Sequence, residues 1–301
     1  MKFDRDFEPH HGEAVPVADK VLRVTCANVS PFTFQGTNSY VVGERSVAVI
    51  DPGPMDEVHL ERLVKAIDGR PVSHILVSHT HRDHSPLAQP LQQRVGGEIV
   101  AEGPHRAARD LTVGEENKLD ASGDHDFQPD RMIAGGEAIE TDEFTLTAIH
   151  TPGHMANHLC FALEGTGTVF SADHVMAWST TIVAPPDGDM NAYMASLDRL
   201  MERQGDEVYF PGHGGPVTKP AAFLRGLKTH RKMREAAILK RLAAGDHTIP
   251  SMVATIYRDI DPRLHGAASL NVFAHLEALI ERGAVRTDDA APRLDSIYHQ
   301  A

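Results

Sequence analysis

At 301 residues, with 41% hydrophobic and 24% charged positions, the chain has the composition of an ordinary globular protein and can bury a full core in one large or two modest domains. No run approaches the ~18 apolar residues a membrane span needs, residues 1–13 hold no apolar secretory core, and two cysteines, Cys26 and Cys160, make no disulfide framework; the expectation is a cytoplasmic protein with no membrane partner. The formal net charge of −13 argues against nonspecific nucleic-acid binding, yet eight Lys/Arg against the single acid Glu235 put residues 219–241 at about +7 and the remainder near −20.

Runs rich in Val, Ile, Phe and Thr predict strands at 21–25, 39–42, 47–50, 75–78, 144–149, 159–163, 168–171 and 208–210, several closed by Gly or Pro. Helical patterns fall at 57–67 and 191–203; in the second, Asn191 is the expected N-cap, and Met194, Leu197, Leu200 and Met201 form one apolar stripe. Residues 102–140, rich in Gly and Asp and weakly periodic, read as a surface insertion. After Pro216 the pattern is helical only. Helices are predicted at 223–243, at 250–257 with Thr248 or Ser251 as cap, and from a cap at Ser269 to a stop at Gly283. A short β pair follows near 284–286 and 296–299. The fold class is therefore an α/β body, residues 1–218, carrying a small helical, winged-helix-like domain, residues 219–301.

One stretch concentrates the chemistry. His79-Thr80-His81-Arg82-Asp83-His84 places three imidazoles and a carboxylate in six residues, directly after the apolar run Ile75-Leu76-Val77. A strand ending in a ligand-rich loop holds donors on a rigid edge. Three His and one Asp are too many for one tetrahedral metal to take from a single loop, so the spacing points to two metals. Three further ligand-type residues follow predicted strands beside Gly or Ala: His154 in Thr151-Pro152-Gly153-His154, Asp173 in Ser171-Ala172-Asp173, and His213 in Pro211-Gly212-His213-Gly214. Separate strand ends converging in this way is how α/β proteins build a site. Imidazole and carboxylate without thiolate suit Zn²⁺ best, with Fe or Mn as alternatives. The remaining fourteen histidines read as surface or hydrogen-bonded core residues, and Cys160 in Leu159-Cys160-Phe161 as core.

These motifs, with Asp51 in Ile50-Asp51-Pro52-Gly53, resemble the metallo-β-lactamase fold superfamily. The resemblance implies an αββα sandwich with the site at the edge between two sheets. It further implies one metal held by His79, His81 and His154, a second by Asp83, His84 and His213, Asp173 bridging both, and Asp51 orienting ligands without binding metal. Residues 31–40, the segment after Asp173 and the helical tail are similar to the branch typified by lactamase-beta-like protein 2, in which a winged-helix-like domain follows the catalytic fold and one member acts on single-stranded RNA.

The implied chemistry is hydrolysis by a hydroxide shared between two metals. Asp83 is then a catalytic residue as well as a ligand, and His158 and His174 are candidate proton donors to the leaving group. The leading substrate is a small ester, thioester or lactone. An alternative within enzymes is a phosphodiesterase or endoribonuclease using the basic 219–241 segment on RNA. Outside enzymes, the alternative is a binding module whose tail contacts DNA through a basic recognition helix. The tail is also expected to cover the active-site edge or to mediate self-association as a homo-oligomer. Trp178-Ser179-Thr180-Thr181 either lines the substrate pocket or is a packed loop.

Overall fold

The computed structural model describes residues 2–259 and 261–301. Period-two alternation in the apolar runs gives the central strands two buried faces, and this dictates four layers. In β3 (Asn38–Val42) and β4 (Val47–Ile50), Tyr40, Val42, Ala48 and Ile50 point into one core while Val41, Val47 and Val49 point into another. The same division holds in β10 (Leu159–Leu163) and β11 (Thr168–Ala172), where Phe161 and Phe170 face inward and Cys160, Ala162 and Val169 face outward.

The first sheet has seven strands in sequence order: β1 (Ala14–Ala18), β2 (Val21–Thr25), β3, β4, β5 (Val72–Leu76), β6 (Glu98–Ala101) and β7 (Arg131–Met132). Pairing is antiparallel from β1 to β4 and parallel from β4 to β7. The second sheet runs β12 (Val208–Pro211), β11, β10, β9 (Thr145–His150), β8 (Ala138–Glu140), antiparallel except for the parallel β11–β12 pair. Their facing surfaces enclose a layer of Tyr40, Leu76, Val100, Leu146, Phe161, Phe170 and Phe210.

Helices cover the outer faces. Leu60, Leu63 and Ile67 of α1 (Glu57–Ile67) and Leu91 of α2 (Ala88–Val95) pack on the first sheet. Tyr193, Leu197 and Leu200 of α3 (Met190–Glu202) pack on the second. The outcome is the expected αββα sandwich. α3 begins one residue earlier than predicted, and its cap is Asp189, whose carboxylate accepts from the Ala192 N–H at 2.6 Å. Asn191 instead lies in the first turn and donates to Glu281 at 2.6 Å.

The tail comprises α4 (Pro220–Ala243), α5 (Ile249–Ile256), α6 (His265–Glu281) and a hairpin of β13 (Val285–Thr287) with β14 (Tyr298–Gln300). Its own core is built on Ile238, Met252, Val272, Phe273, Leu276 and Tyr298. Thr248 caps α5 as expected, accepting from the Ser251 N–H. Ser269 does not cap α6. The helix starts a turn earlier, and the Ser269 hydroxyl donates back to the His265 carbonyl at 2.9 Å. Leu224 and Leu227 of α4 and Ala274 and Ala278 of α6 join the core cluster of α3 and the second sheet, so the tail shares apolar packing with the sandwich.

The 102–140 stretch is more than an insertion on the surface. It supplies β7 and β8 and anchors itself with buried Phe127, Ile133 and Ile139. Arg109 within it pairs with Glu115 and with Glu277 of α6, both at 2.6 Å. Among the described residues, no helix is long and apolar enough to cross a membrane.

Candidate metal centre

The ligand-type residues all sit where strands stop. β5 ends at Leu76, and the chain turns through Val77 and Ser78 into His79–His84; His154 follows β9, Asp173 follows β11 and His213 follows β12. The turns are tight. Asp51, one residue past β4, has φ 51°, and Ala172, the last residue of β11, has φ 41°. Side chains in this region cost up to about 1–3 kcal/mol, least for Asp and Asn, and persist where surrounding contacts enforce them. At Gly153, φ is 137° and an added Cβ would lie 2.3 Å from the Tyr193 Cα, so only glycine fits.

The structure brings the seven residues into one ring of donors. His79, His81 and His154 offer nitrogens within 4.8 Å of one another, as do the ligand atoms of Asp83, His84 and His213, and those of His79, His84 and Asp173. His81 Nδ1 is 3.0 Å from the Nε2 atoms of both His79 and His154. Asp83 Oδ2 is 3.1 Å from His213 Nε2 and 3.5 Å from His84 Nε2. Asp173 lies between the groups: Oδ1 is 3.6 Å from His84 Nε2, and Oδ2 is 3.3 Å from His213 Nε2 and 3.7 Å from His154 Nε2.

Outer contacts fix which nitrogen faces inward. Asp51 accepts from the Ser78 N–H and O–H, each at 2.7 Å, and from His84 Nδ1 at 2.9 Å. Because the Ser78 hydroxyl donates to Asp51, it accepts from His79 Nδ1 at 2.9 Å. His154 Nδ1 donates to the Ile182 carbonyl at 2.7 Å, and His213 Nδ1 to the Gly36 carbonyl at 3.1 Å. Each bond leaves Nε2 as the nitrogen that faces the ring, the orientation a metal-binding imidazole needs. Asp51 thus bonds His84 directly and His79 through Ser78. Ser78, Ile182 and Gly36 went unnoticed in the sequence, and backbone carbonyls leave no sequence signal.

Burial and neighbouring imidazoles hold His79 well below its ordinary value, His81 near about 3, and His154 below the usual range. The carboxylates act oppositely. Burial opposes a proton on His213 and His84, but Asp173 and Asp83 outweigh it, raising His213 to about 10 and His84 well above its ordinary value. Burial likewise opposes ionisation of Asp83 and Asp173, yet the facing imidazoles lower both.

The donor set fits a divalent cation. His84 Nε2 and Asp173 Oδ1 are buried without hydrogen-bond partners and face each other too far apart to bond. An unfilled pair of this kind is costly unless a cation lies between. Space is kept for it: a Cβ on Gly212 would come 2.5 Å from Asp173 Oδ1 and 2.7 Å from His84 Cε1.

His158 and His174, expected as proton donors, lie behind the ring instead. Both are fully buried. His158 Nδ1 bonds the Thr151 hydroxyl at 2.9 Å, and His174 packs on Tyr193 at 4.6 Å. Burial keeps His158 far below its ordinary value and His174 at about 3. Thr181 belongs to a packed loop, its hydroxyl donating to the carbonyls of Asp173 and His174 at 2.6 and 2.9 Å. Trp178 stacks on Phe34 at 4.9 Å against Gly214. Cys160 is core, its thiol pushed up to about 12 by burial.

The basic 219–241 segment is only partly engaged: Arg231 is buried, Lys228 pairs with Asp198 and Arg241 pairs with Asp246, while Lys219, Arg225, Lys232 and Lys240 are exposed. The α6 helix, which a DNA-reading winged helix would present, is buried along most of its length.

Comparison with known proteins agrees with this geometry. Residues 32–213 match the metallo-beta-lactamase superfamily, and residues 248–293 match the beta-lactamase associated winged helix domain. The chain is 28% identical to the beta-lactamase-like protein 2 homolog of Drosophila melanogaster, covering 94% of this chain and 95% of that one. It is 29% identical to an atrochrysone carboxyl ACP thioesterase of Aspergillus terreus, covering 81% and 69%. The crystal structure of a beta-lactamase domain protein from Burkholderia ambifaria superposes with a TM-score of 0.79 at 20% identity, over 98% of this chain and 96% of that one. Sandwich, strand-end donor ring and winged-helix tail together make the chain a hydrolase that belongs to the metallo-beta-lactamase superfamily.

Proposed function

We propose that this hydrolase cleaves a small ester, thioester or lactone, a thioester foremost, with two divalent cations, zinc by preference. The observation that carries the reading is the position of Asp173, whose two oxygens lie within 3.7 Å of His84, His154 and His213 and so adjoin both donor groups. His79, His81 and His154 would hold one cation and Asp83, His84 and His213 the other, with Asp173 shared. Nitrogen and oxygen donors without thiolate favour zinc, with iron or manganese next. Bound there, the cations lower the pKa of water and stabilise developing negative charge.

The chain's own groups do the rest. Asp83 has 27% of its side chain exposed while His84 and His213 are essentially closed, so with the partly buried His81 it borders incoming water and can accept a hydrogen bond that orients it. The stacked Phe34 and Trp178 beside Gly214 give the acyl part of a substrate an apolar wall. The similarity to a thioesterase supports the substrate class. A protein confined to the cytoplasm fits two buried, unpaired cysteines.

The test measures metal content together with turnover of a chromogenic thioester, the matching ester and a labelled single-stranded RNA, for the native chain and Asp83→Ala. About two metals per chain, with thioester turnover lost by at least 100-fold in the variant, is expected. RNA cleavage without thioester turnover would overturn the substrate class, and fewer than one metal per chain would overturn the site.

A further inference from the structure

A single peptide group links the helical tail to the ligand ring. The Ile182–Val183 peptide accepts at its carbonyl from His154 Nδ1 at 2.7 Å and donates at its N–H to Asn271 Oδ1 at 3.1 Å. Asn271 belongs to α6 and is 9% exposed. Its Nδ2 donates to the Ala267 carbonyl one turn back, which turns its oxygen toward the loop. That oxygen also accepts from Arg231 Nη1 at 3.2 Å. Arg231, on α4, donates through Nη2 to the Thr181 carbonyl and lies over the Tyr193 ring, 4.8 Å from its centroid.

Arg231 is 3% exposed, and among the described residues no carboxylate pairs with it. Burying a cation without an anion is expensive, and an apolar side chain of similar volume would serve stability as well or better. What the guanidinium does supply is a pair of aimed donors. Together with Asn271 it holds residues 181–183 on the side opposite His154, while the Thr181 hydroxyl ties the same loop to the Asp173 turn.

We infer that Asn271 and Arg231 are positioning residues: by clamping the Ile182–Val183 peptide they fix His154 as its Nδ1–H tautomer with Nε2 directed into the ring. Hydrogen bonding at the Val183 N–H polarises the Ile182 carbonyl and strengthens its hold on the imidazole. In the other tautomer His154 would present an N–H to the ring and would not be a ligand. The tail is then part of the metal centre without touching it. This inference rests on the ring being a cation site.

The experiment is a zinc affinity measurement by competition with a chromogenic chelator, on the full chain, with thermal melting alongside. Asn271→Leu should weaken zinc binding 10–100-fold, and Asn271→Asp, which keeps the acceptor, should stay within about threefold of the native chain. Leu276→Ala opens a cavity in the tail's own core, away from the loop, and should lower the melting temperature without moving affinity. Should Asn271→Leu not fold, Asn271→Ser, too short to reach the Val183 N–H, takes its place. Native affinity in the Leu or Ser variant, or equal weakening by Leu276→Ala, would overturn the inference while leaving the metal centre standing. A native chain that binds no zinc overturns both.

Discussion

Replacing Asp51 by alanine should separate what orients the ligands from what binds. Asp51 is 2% exposed and accepts three hydrogen bonds, from the Ser78 N–H, the Ser78 O–H and His84 Nδ1. The hydroxyl can swing to another acceptor; the amide N–H and the imidazole N–H have nowhere to turn. Each buried donor left alone costs about 1–3 kcal/mol, and alanine at φ 51° adds about 1 kcal/mol that Asp and Asn, tolerant of the left-handed region, largely avoid. Asp51→Ala should therefore destabilise the chelator-treated protein by about 3–7 kcal/mol, and Asp51→Asn, which keeps one acceptor oxygen, by about half that. Zinc affinity should drop 10–100-fold in Asp51→Ala. Urea unfolding of the metal-free protein gives the first quantity, and chelator competition the second. An Asp51→Ala protein within 1 kcal/mol of native stability would refute the reasoning, because the buried donors would then have found water or other partners.

Gly212→Ala places a methyl 2.5 Å from Asp173 Oδ1 at a position where φ is not left-handed, so chelator competition should show zinc affinity reduced more than tenfold while the stability read from urea unfolding falls by only about 1–3 kcal/mol. His59, buried on Ser39 at 2.9 Å, is pushed down to about 4 by desolvation. Its folded value lies below the unfolded 6.5, so the folded state takes up fewer protons, and stability is full above pH 6.5 and falls toward pH 4. The loss is about 3 kcal/mol, and in His59→Gln the unfolding free energy from urea titrations should lose a pH dependence of similar size over that window. Leu227→Ala should cost about 2–5 kcal/mol, since the side chain lies in the core shared by the tail and the second sheet. Cutting the chain before Pro220 should accordingly abolish the cooperative melt seen by calorimetry, and a truncated protein that melts as sharply as the full chain would contradict the shared core.

How much of this was legible in the sequence differs by layer. Strands such as 47–50 and 159–163 are apolar on both faces, and their runs are short and bounded, so they can be read directly. The ligands are legible for a related reason: strands that stop at Gly, Ala or a tight turn leave the next polar residue at a sheet edge. β7 and β8 escaped because they are short edge strands whose buried neighbours, Ile133 and Ile139, stand singly among polar residues, and β6, an inner strand, because its apolar run is only Ile99, Val100 and Ala101. Asn191 looked like a cap because its side chain can cap, but Asp189, two residues earlier, starts the helix. Arg231 sits among Lys and Arg, a setting in which a side chain is ordinarily solvated. It is buried because its partners, a carbonyl at Thr181 and the Tyr193 ring, come from far along the chain. His158 and His174 follow ligands in sequence, which suggested nearness to substrate, whereas the strand geometry turns them into the protein interior.

The ring has a consequence for how freely this sequence can vary. His79, His81, Asp83 and His84 hang from the first sheet, and His154, Asp173 and His213 from the second. An ion seated among them acts as a reversible cross-link between two halves of the chain, and at a hundredfold excess over its dissociation constant it adds about 2.7 kcal/mol to the folded state. That is close to the cost of one truncated leucine in the layer between the sheets. The chain can therefore carry one such lesion when the ion is plentiful and unfold from the same lesion when it is scarce, so that metal supply, as much as packing, sets which substitutions the sandwich survives.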